Sequence, residues 1–163
     1  MLSYIAFDPG LKGGIAVAAM CANDEPWDTY AEAMPIAGKE IDCEAIAKTL
    51  TILKEYGNVI AIIEKVGAMP GQGVTSMFTF GKGYGTLIGI CGGLGVRVEL
   101  VTPQAWKKVV LAGTAKDKDA AIAYCRRAFP DISLLRTSSC KTPSDGIADA
   151  LCILEYGKRT YVN

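Results

Sequence analysis

Runs of apolar residues along the chain predict strands separated by helices. Five segments are predicted as strands from continuous apolar runs or apolar–polar alternation: 2–8, 13–19, 27–35, 59–63 and 96–101. The first two flank an Asp-Pro-Gly turn at 8–10 and are predicted to form a hairpin. The β-branched run 59–63 is typical of a strand buried on both faces, and Glu64 ends it.

Apolar residues at three-to-four spacing predict the helices that lie between and after these strands. They cover 40–56, 74–93, 102–111, 115–129 and 143–156. Thr102 and Pro103 have the residue types of an N-cap and a first turn, and Gly157 is expected just past the end of the last helix. With no internal repeat and no linker, the order predicts one α/β domain over 1–163 with a mixed sheet.

The second predicted helix contains glycines at every fourth position. Gly81, Gly85, Gly89 and Gly93 form one stripe along it. Each costs about 1 kcal/mol relative to alanine inside a helix, so a close backbone approach must compensate. The stripe either packs on the sheet of its own chain or meets the same helix of a second copy, and we slightly favour the second interpretation.

Composition excludes several classes of protein. Half of the residues are hydrophobic and 21% are charged, which excludes a disordered chain. Neither a membrane span nor a secretory signal is expected. Six scattered cysteines without a CxxC pair predict reduced, mostly buried thiols in a cytoplasmic protein. The chain has no histidine, which excludes Ser-His-Asp and Cys-His catalysis and histidine-ligated zinc.

Charge is unevenly distributed although the formal net charge is zero. Residues 104–141 carry eight basic and three acidic side chains, whereas residues 1–103 have a net charge of −4. A basic block beside acidic clusters is typical of a polyanion-binding protein with cations in its active site. An ordinary solvated pair of helices would explain the block equally well.

Four carboxylates occupy positions that suit metal-dependent chemistry. Asp8 and Glu64 end two predicted buried strands, and Asp145 and Asp149 lie four apart on one face of the last predicted helix. Like charges at that spacing destabilise a helix, so the pair indicates a cation, although Asp145 could simply be a first-turn acid. Hard cations prefer oxygen ligands, and two Mg²⁺ ions can clamp the attacking and leaving oxygens of a phosphodiester. With no histidine, water activated by metal is the expected nucleophile.

The chain resembles the RuvC-like Holliday-junction resolvases of the RNase H-like superfamily, closest to short bacterial and phage-type members. The resemblance rests on five blocks in order: IAFDPGLKGGIA (5–16), VIAIIEKV (59–66), MPGQGVTSMF (69–78), VTPQAWKK (101–108) and TPSDGIADALCILEYGKR (142–159). It implies an RNase H-like α/β fold, a five-stranded mixed β-sheet flanked by helices. It also implies a homodimer that binds four-way DNA junctions in recombination and repair. Two opposed strands would be nicked with Mg²⁺ or Mn²⁺, leaving 5′-phosphate and 3′-hydroxyl ends.

The resemblance assigns roles to particular residues. The catalytic acids and metal ligands would be Asp8, Glu64 and Asp149, with Asp145 as the fourth. Lys107 and Lys118 lie in the region of the family's important lysines. The charge block adds the DNA-contact candidates Lys108, Arg126 and Arg127. The family's dimer helix corresponds to the stripe, with Gly81, Gly85 and Gly89 at the interface.

The chain departs from the family at two positions. Some relatives place a junction-entering aromatic or histidine wedge three residues after the strand-end acid, where this chain has Gly67. Met69, or Phe78 and Phe80 further along the chain, could substitute as an apolar wedge, although Phe78 and Phe80 are more often core residues. Some relatives also have a histidine where this chain has Ser144.

Three alternative functions remain open at the level of sequence. The same metal site could serve a nuclease acting on other branched, flap or RNA-containing substrates. An actin- or Hsp70-like phosphate-binding fold also has an early aspartate hairpin, but 163 residues leave no second lobe to close over a nucleotide. A junction-binding protein without cleavage would have no reason to hold four repelling carboxylates near DNA.

Overall fold

The computed structural model describes residues 1–19, 28–65, 67, 71 and 73–161. Its strands are β1 (Leu2–Asp8), β2 (Gly14–Ala19), β3 (Asp28–Ala33), β4 (Ile36–Ala37), β5 (Glu40–Ile41), β6 (Asn58–Glu64) and β7 (Arg97–Val101). Its helices are α1 (Cys43–Glu55), α2 (Val74–Gly93), α3 (Pro103–Val110), α4 (Lys118–Ala128) and α5 (Asp145–Thr160). Each predicted strand and helix is present, whereas the short strands β4 and β5 were not predicted.

The main sheet has five strands in the order β3-β2-β1-β6-β7. β2 runs antiparallel to both β1 and β3, while β6 runs parallel to both β1 and β7. The predicted hairpin and the mixed five-stranded sheet are therefore confirmed. Because β1 and β6 are parallel neighbours, their carboxyl ends lie at the same edge of the sheet.

Helices cover both faces of this sheet, which explains why the central residues of β1 and β6 are apolar. Tyr4 and Ala6 of β1 pack in a core with α3, α4 and α5. The alternate residues Ile5 and Phe7 pack in a second core with α1 and α2. Successive side chains of a strand point to opposite faces, so a central strand of such a sheet needs apolar residues at every position.

Two helices, α1 and α4, begin three residues later than predicted, because an aspartate caps each of them. Asp42 accepts a hydrogen bond from the Ala45 amide at 3.0 Å, and α1 starts after it. The preceding residues of β5 pair with β4 in a small two-stranded sheet. Asp117 caps α4 through the Ala120 amide at 2.8 Å, and Lys116 before it has a left-handed backbone, with φ of 59°.

The predicted end of the last helix is wrong: α5 continues through Gly157 to Thr160. A Cβ at Gly157 would lie 2.1 Å from Cδ1 of Ile62 in β6. The glycine therefore lets α5 pack closely on the sheet instead of terminating the helix.

Five of the six cysteines lie among the described residues. Cys91, Cys125 and Cys152 are buried, Cys43 is exposed, and Cys140 is partly exposed. All five are free thiols, and the sixth cysteine, Cys21, lies outside the described residues. Within the described part of the chain, none of the helices is both long and apolar enough to cross a membrane.

Candidate active site

Two of the four acids meet at one edge of the sheet because their strands are parallel neighbours. Phe7 of β1 is paired with Ile63 of β6, and each is followed directly by an acid, Asp8 and Glu64. Both acids are only partly accessible. Glu64 is one of the charges that raise the pKa of Asp8, so the two carboxylates lie within electrostatic range.

The amino end of α5 reaches the same edge through contacts between glycine backbones. Gly13 and Gly146 form an isolated parallel bridge. A Cβ at Gly146 would lie 2.4 Å from the carbonyl oxygen of Lys12, and a Cβ at Gly14 would lie 2.5 Å from the carbonyl oxygen of Gly146. Only glycine permits this approach, which carries both acids of α5 toward the end of β1.

The pKa shifts of the acids show that they share one environment. The pKa of Asp8 is raised well above its usual value, first by burial and then by the charges of Glu64, Asp149 and Asp145. Burial and then Glu64 raise the pKa of Asp149 to about 6. The structure thus brings the four predicted acids together in one electrostatically coupled cluster.

Two of the acids have partners in the structure. Nζ of Lys118 lies 2.5 Å from Oδ2 of Asp145, and this exposed ion pair raises the pKa of Lys118. Nε1 of Trp106 donates a hydrogen bond to Oε1 of Glu64 at 2.7 Å. Lys107 also acts on the site, since its charge lowers the pKa of both Glu64 and Asp149.

The donor set fits a hard divalent cation in its chemistry, because every candidate ligand is a carboxylate oxygen. As the side chains stand, no three acidic or cysteine side chains of the described residues are close enough together to hold a metal ion. Two of the acids are engaged elsewhere, Asp145 with Lys118 and Glu64 with Trp106. A bound cation would therefore compete with Lys118 for Asp145.

A groove of about 1250 Å³ opens beside the acids. Asp8, Asp145 and Asp149 line it, together with the exposed aromatic side chain of Phe78. Its basic lining consists of Lys12, Lys39, Lys82, Lys118 and Arg136. Of these, only Lys118 was predicted from the sequence as a DNA contact. The first three belong to a segment whose net charge is negative, so counting charge by segment concealed them.

Arg136 connects the groove wall to the β1–β2 hairpin. Its guanidinium donates hydrogen bonds to the carbonyl oxygens of Leu11 at 3.1 Å, Lys12 at 2.9 Å and Gly13 at 3.4 Å. One side chain of the long loop after α4 thus supports the turn that follows Asp8. No sequence pattern indicates this contact, which joins residues more than 120 positions apart.

The remaining DNA-contact candidates lie on exposed surfaces of α3 and α4. Lys108 is exposed on α3. Arg126 and Arg127 occupy the last turn of α4, whereas Lys118 begins that helix beside the acids. Arg127 lies over the ring of Tyr124, 5.9 Å from its centroid. The structure therefore places Lys107 and Lys118 at the acidic cluster and the arginine pair at the far end of α4.

The wedge candidates have different surroundings. Met69 lies outside the described residues. Phe78 is 73% exposed, so the expectation of a core position is wrong for this residue. Phe80 is partly buried against Gly10, where an added Cβ would lie 3.0 Å from Cε2 of Phe80. Gly67 is exposed, and Ser144 is the buried N-cap residue of α5.

The glycine stripe of α2 faces away from the sheet. Leu87 and Cys91 are the buried residues of this helix. A Cβ added at any of the stripe positions would meet no described atom within 4 Å; these positions are Gly81, Gly85, Gly89 and Gly93. Packing of the stripe on the sheet of its own chain is thus excluded among the described residues.

Comparison with solved structures identifies the fold. No protein-family model matches the sequence, and no curated protein matches it. The Thermus thermophilus RuvC structure has a TM-score of 0.57 at 16% identity, over 98% of this chain and 96% of that chain. T. thermophilus RuvC in complex with Holliday junction substrate has a TM-score of 0.57 at 15% identity, with the same coverage. The yeast mitochondrial Holliday junction resolvase Ydc2 has a TM-score of 0.58 at 13% identity, over 96% of this chain and 77% of that chain.

These likenesses and the sheet order place the chain among proteins of the RNase H-like fold. Within that class, its fold is that of RuvC and related Holliday junction resolvases. The fold implied by the sequence resemblance is therefore confirmed.

Proposed function

We propose that this protein is a Mg²⁺-dependent endonuclease that resolves four-way DNA junctions by paired, symmetric nicks. The observation that carries the proposal is the cluster of four carboxylates, in which Glu64, Asp145 and Asp149 all act electrostatically on Asp8. Three of the four, Asp8, Asp145 and Asp149, line the groove. It occurs in a fold shared with RuvC, a protein whose structure has been solved with a Holliday junction substrate. A fold alone does not define an activity, so the acidic cluster bears most of the argument.

The four carboxylates would hold the metal ions. Asp8, Glu64 and Asp149 are the ligands we expect, joined by Asp145 when it releases Lys118. Mg²⁺ suits this all-oxygen set, and Mn²⁺ should substitute for it. When bound, such ions polarise the phosphodiester and activate water, chemistry that a chain without histidine does not otherwise supply.

The basic residues would position the DNA backbone beside these acids. Lys107 and Lys118 already act on the carboxylates electrostatically. The lysines and the arginine that line the groove would extend this positive surface along a bound strand. Such contacts give affinity and register without reading sequence, which suits a substrate recognised by its shape.

Paired nicks on opposed strands require two active sites, which a homodimer provides. The outer face of α2 offers a surface for a second copy. It combines the open glycine stripe with the apolar side chain of Val74, which is 86% exposed. Two such helices can approach closely because glycine keeps side chains out of the contact.

Phe78 also lines the groove and is the aromatic residue we propose to enter the junction in place of a side chain at Gly67. An apolar wedge inserted between base steps unstacks them and helps to hold a bent substrate.

The proposal is tested with a synthetic immobile four-way junction, a linear duplex and a flap substrate, each with Mg²⁺ or EDTA. Nicks at symmetric positions on two opposed junction strands, only with Mg²⁺, would support it. Asp8→Asn and Glu64→Gln should abolish nicking and retain or improve junction binding, because each removes a charge that repels phosphate. Asp131→Asn, in an exposed loop, is the matched control.

Two results would contradict the proposal in different ways. Junction binding without nicks would favour a binding protein, whereas equal cutting of duplex and flap would favour a general RNase H-like nuclease.

A further inference from the structure

A buried, uncharged donor holds the carboxylate of Glu64. Trp106 of α3 is fully buried, with 0% of its surface exposed. Its Nε1 lies 2.7 Å from Oε1 of Glu64, a typical length for a hydrogen bond to a carboxylate. The two residues are 42 positions apart, so the contact exists only in the assembled fold.

The direction of this donor is fixed by packing. Thr102 caps α3 by accepting a hydrogen bond from the Ala105 amide, which places Trp106 in the first turns of a well-defined helix. The indole ring belongs to the core formed by the sheet with α3, α4 and α5. Because a close-packed indole cannot rotate without opening a cavity, its N–H keeps pointing at Glu64.

The chemistry of the indole distinguishes the hydrogen bond between Trp106 and Glu64 from the ion pair between Lys118 and Asp145. An indole N–H donates one hydrogen bond and has neither a charge nor a metal-binding lone pair. It can restrain a carboxylate without cancelling its charge or competing with it for a cation. Lys118 does the opposite for Asp145, since its ammonium neutralises that acid in an exposed ion pair.

We propose that Trp106 is a positioning residue for the reaction, whose indole N–H holds Oε1 of Glu64 so that the carboxylate is in place before a metal ion binds. This inference rests on the proposed function. The competing explanation is that Glu64 merely satisfies the N–H of a buried tryptophan, which normally needs a partner. Loss of Trp106 would then reduce stability and leave the metal dependence unchanged.

The first test observes the indole directly in the intact, metal-free protein. The chain has two tryptophans, so ¹⁵N-indole labelling gives two side-chain N–H resonances, which Trp27→Phe assigns. We expect the Trp106 resonance to shift during a Mg²⁺ titration and to move in Glu64→Ala, where the Mg²⁺ response is lost. A Trp106 resonance that responds neither to Mg²⁺ nor to Glu64→Ala would overturn the inference.

The second test removes only the donor. Trp106→Phe keeps an aromatic ring, and Trp27→Phe makes the same chemical change elsewhere. We expect Trp106→Phe to raise the Mg²⁺ concentration needed for half-maximal nicking about tenfold. The Mg²⁺ concentration that gives half of the maximal rise in Tm should increase by the same factor. The nicking rate at saturating Mg²⁺ should change much less. A lowered Tm with unchanged Mg²⁺ dependence would show a purely structural role.

The two tests separate this inference from the proposed function. If Trp106→Phe fails to fold, the indole titration of the wild-type protein decides alone. An indole shift with Mg²⁺ in a protein that nicks no junction would support the positioning role and remove the proposed function. Junction nicking without an indole shift would support the proposed function and overturn the positioning role of Trp106.

Discussion

Gly13 and Gly146 form a parallel β-bridge that joins the start of the second strand to the first turn of the last helix. The contact is between backbones, and a Cβ at Gly146 would lie 2.4 Å from the carbonyl oxygen of Lys12. Through it, two acids that are distant in sequence from Asp8 reach the same cluster. The position of the helix, and with it half of the candidate ligands, depends on the absence of side chains at Gly14 and Gly146.

Gly146→Ala should therefore disturb both stability and activity. The added methyl group forces α5 away from the hairpin, and overpacking of this kind costs about 1–3 kcal/mol of unfolding free energy. Urea denaturation and junction nicking measure the two effects. Gly67→Ala, at an exposed glycine whose added Cβ would meet no described atom within 4 Å, should change the unfolding free energy by less than about 0.5 kcal/mol. Equal unfolding free energies for the two variants would show that the bridge tolerates a side chain.

Asp149→Asn should stabilise the metal-free protein at neutral pH. Burial and the charge of Glu64 raise the pKa of Asp149 from 3.8 to about 6, so the folded state holds an ionised carboxylate at a disadvantage at pH 7. Removing that charge should raise the unfolding free energy by about 1–2 kcal/mol in EDTA, measured by urea denaturation. Asp131→Asn, with its exposed side chain, is the comparison and should change it little.

The same pKa shift predicts the pH dependence of stability. Because the folded-state pKa of Asp149 lies above the unfolded value, its contribution favours the folded state below about pH 3.8 and is lost as pH rises to about 6. Unfolding curves of the metal-free protein should show the unfolding free energy falling as pH rises across this window. Asp149→Asn should make that fall smaller. An identical decline in the variant would assign the effect to other groups.

Lys107→Ala should weaken junction binding and reduce its dependence on salt. One lost phosphate contact lowers the slope of log K against log salt by about 0.9. Lys48→Ala is the comparison, since Lys48 is an exposed lysine of α1 that is not among the DNA-contact candidates. Junction binding measured at several salt concentrations gives the slope for each of the two variants. Equal slopes for wild type and Lys107→Ala would remove this lysine from the phosphate contacts.

Gly85→Glu should dissociate the proposed dimer without unfolding the chain. Gly85 lies in the middle of the open stripe, where an added Cβ meets no described atom within 4 Å. A long charged side chain at this position would enter a helix–helix contact. Sedimentation velocity should show a monomer for this variant and a dimer for Thr51→Glu, a change on the exposed face of α1. A dimer that survives Gly85→Glu would place the interface elsewhere.

Phe78→Ala should reduce junction nicking while leaving the fold intact. The side chain is 73% exposed, so its loss removes little packing within the chain. We expect slower nicking of the junction at saturating Mg²⁺ and an unfolding free energy within about 0.5 kcal/mol of wild type. Wild-type nicking by Phe78→Ala would exclude Phe78 as the wedge.

Local sequence patterns were sufficient for most of the fold. The strand that ends at Asp8 and the helix that starts after Thr102 could be predicted because hydrophobic periodicity and capping residues act over a few positions. The end of α5 could not, because Gly157 resembles a helix stop. Its packing against Ile62 depends on the tertiary structure.

The candidate site likewise combines residues that local sequence patterns predict with contacts that they do not. Asp8 and Glu64 could be recognised as strand-end acids, and Asp149 from its helical spacing to Asp145. The hydrogen bond from Trp106 to Glu64 and the contact of Arg136 with the hairpin could not, because each joins residues far apart in sequence. Such contacts leave no periodic signal in the chain.

The distribution of the acids over three separate elements has a consequence for biosynthesis. Asp8 and Glu64 are translated before the other two acids, and the cluster is complete only after the chain has been made through Asp149 and α5 has docked on the sheet. Contacts of such long sequence separation form late because of the loop-closure entropy. Under the proposed function, a nascent or truncated chain lacking α5 would have only two of the four acids, so it could not damage DNA before folding is finished.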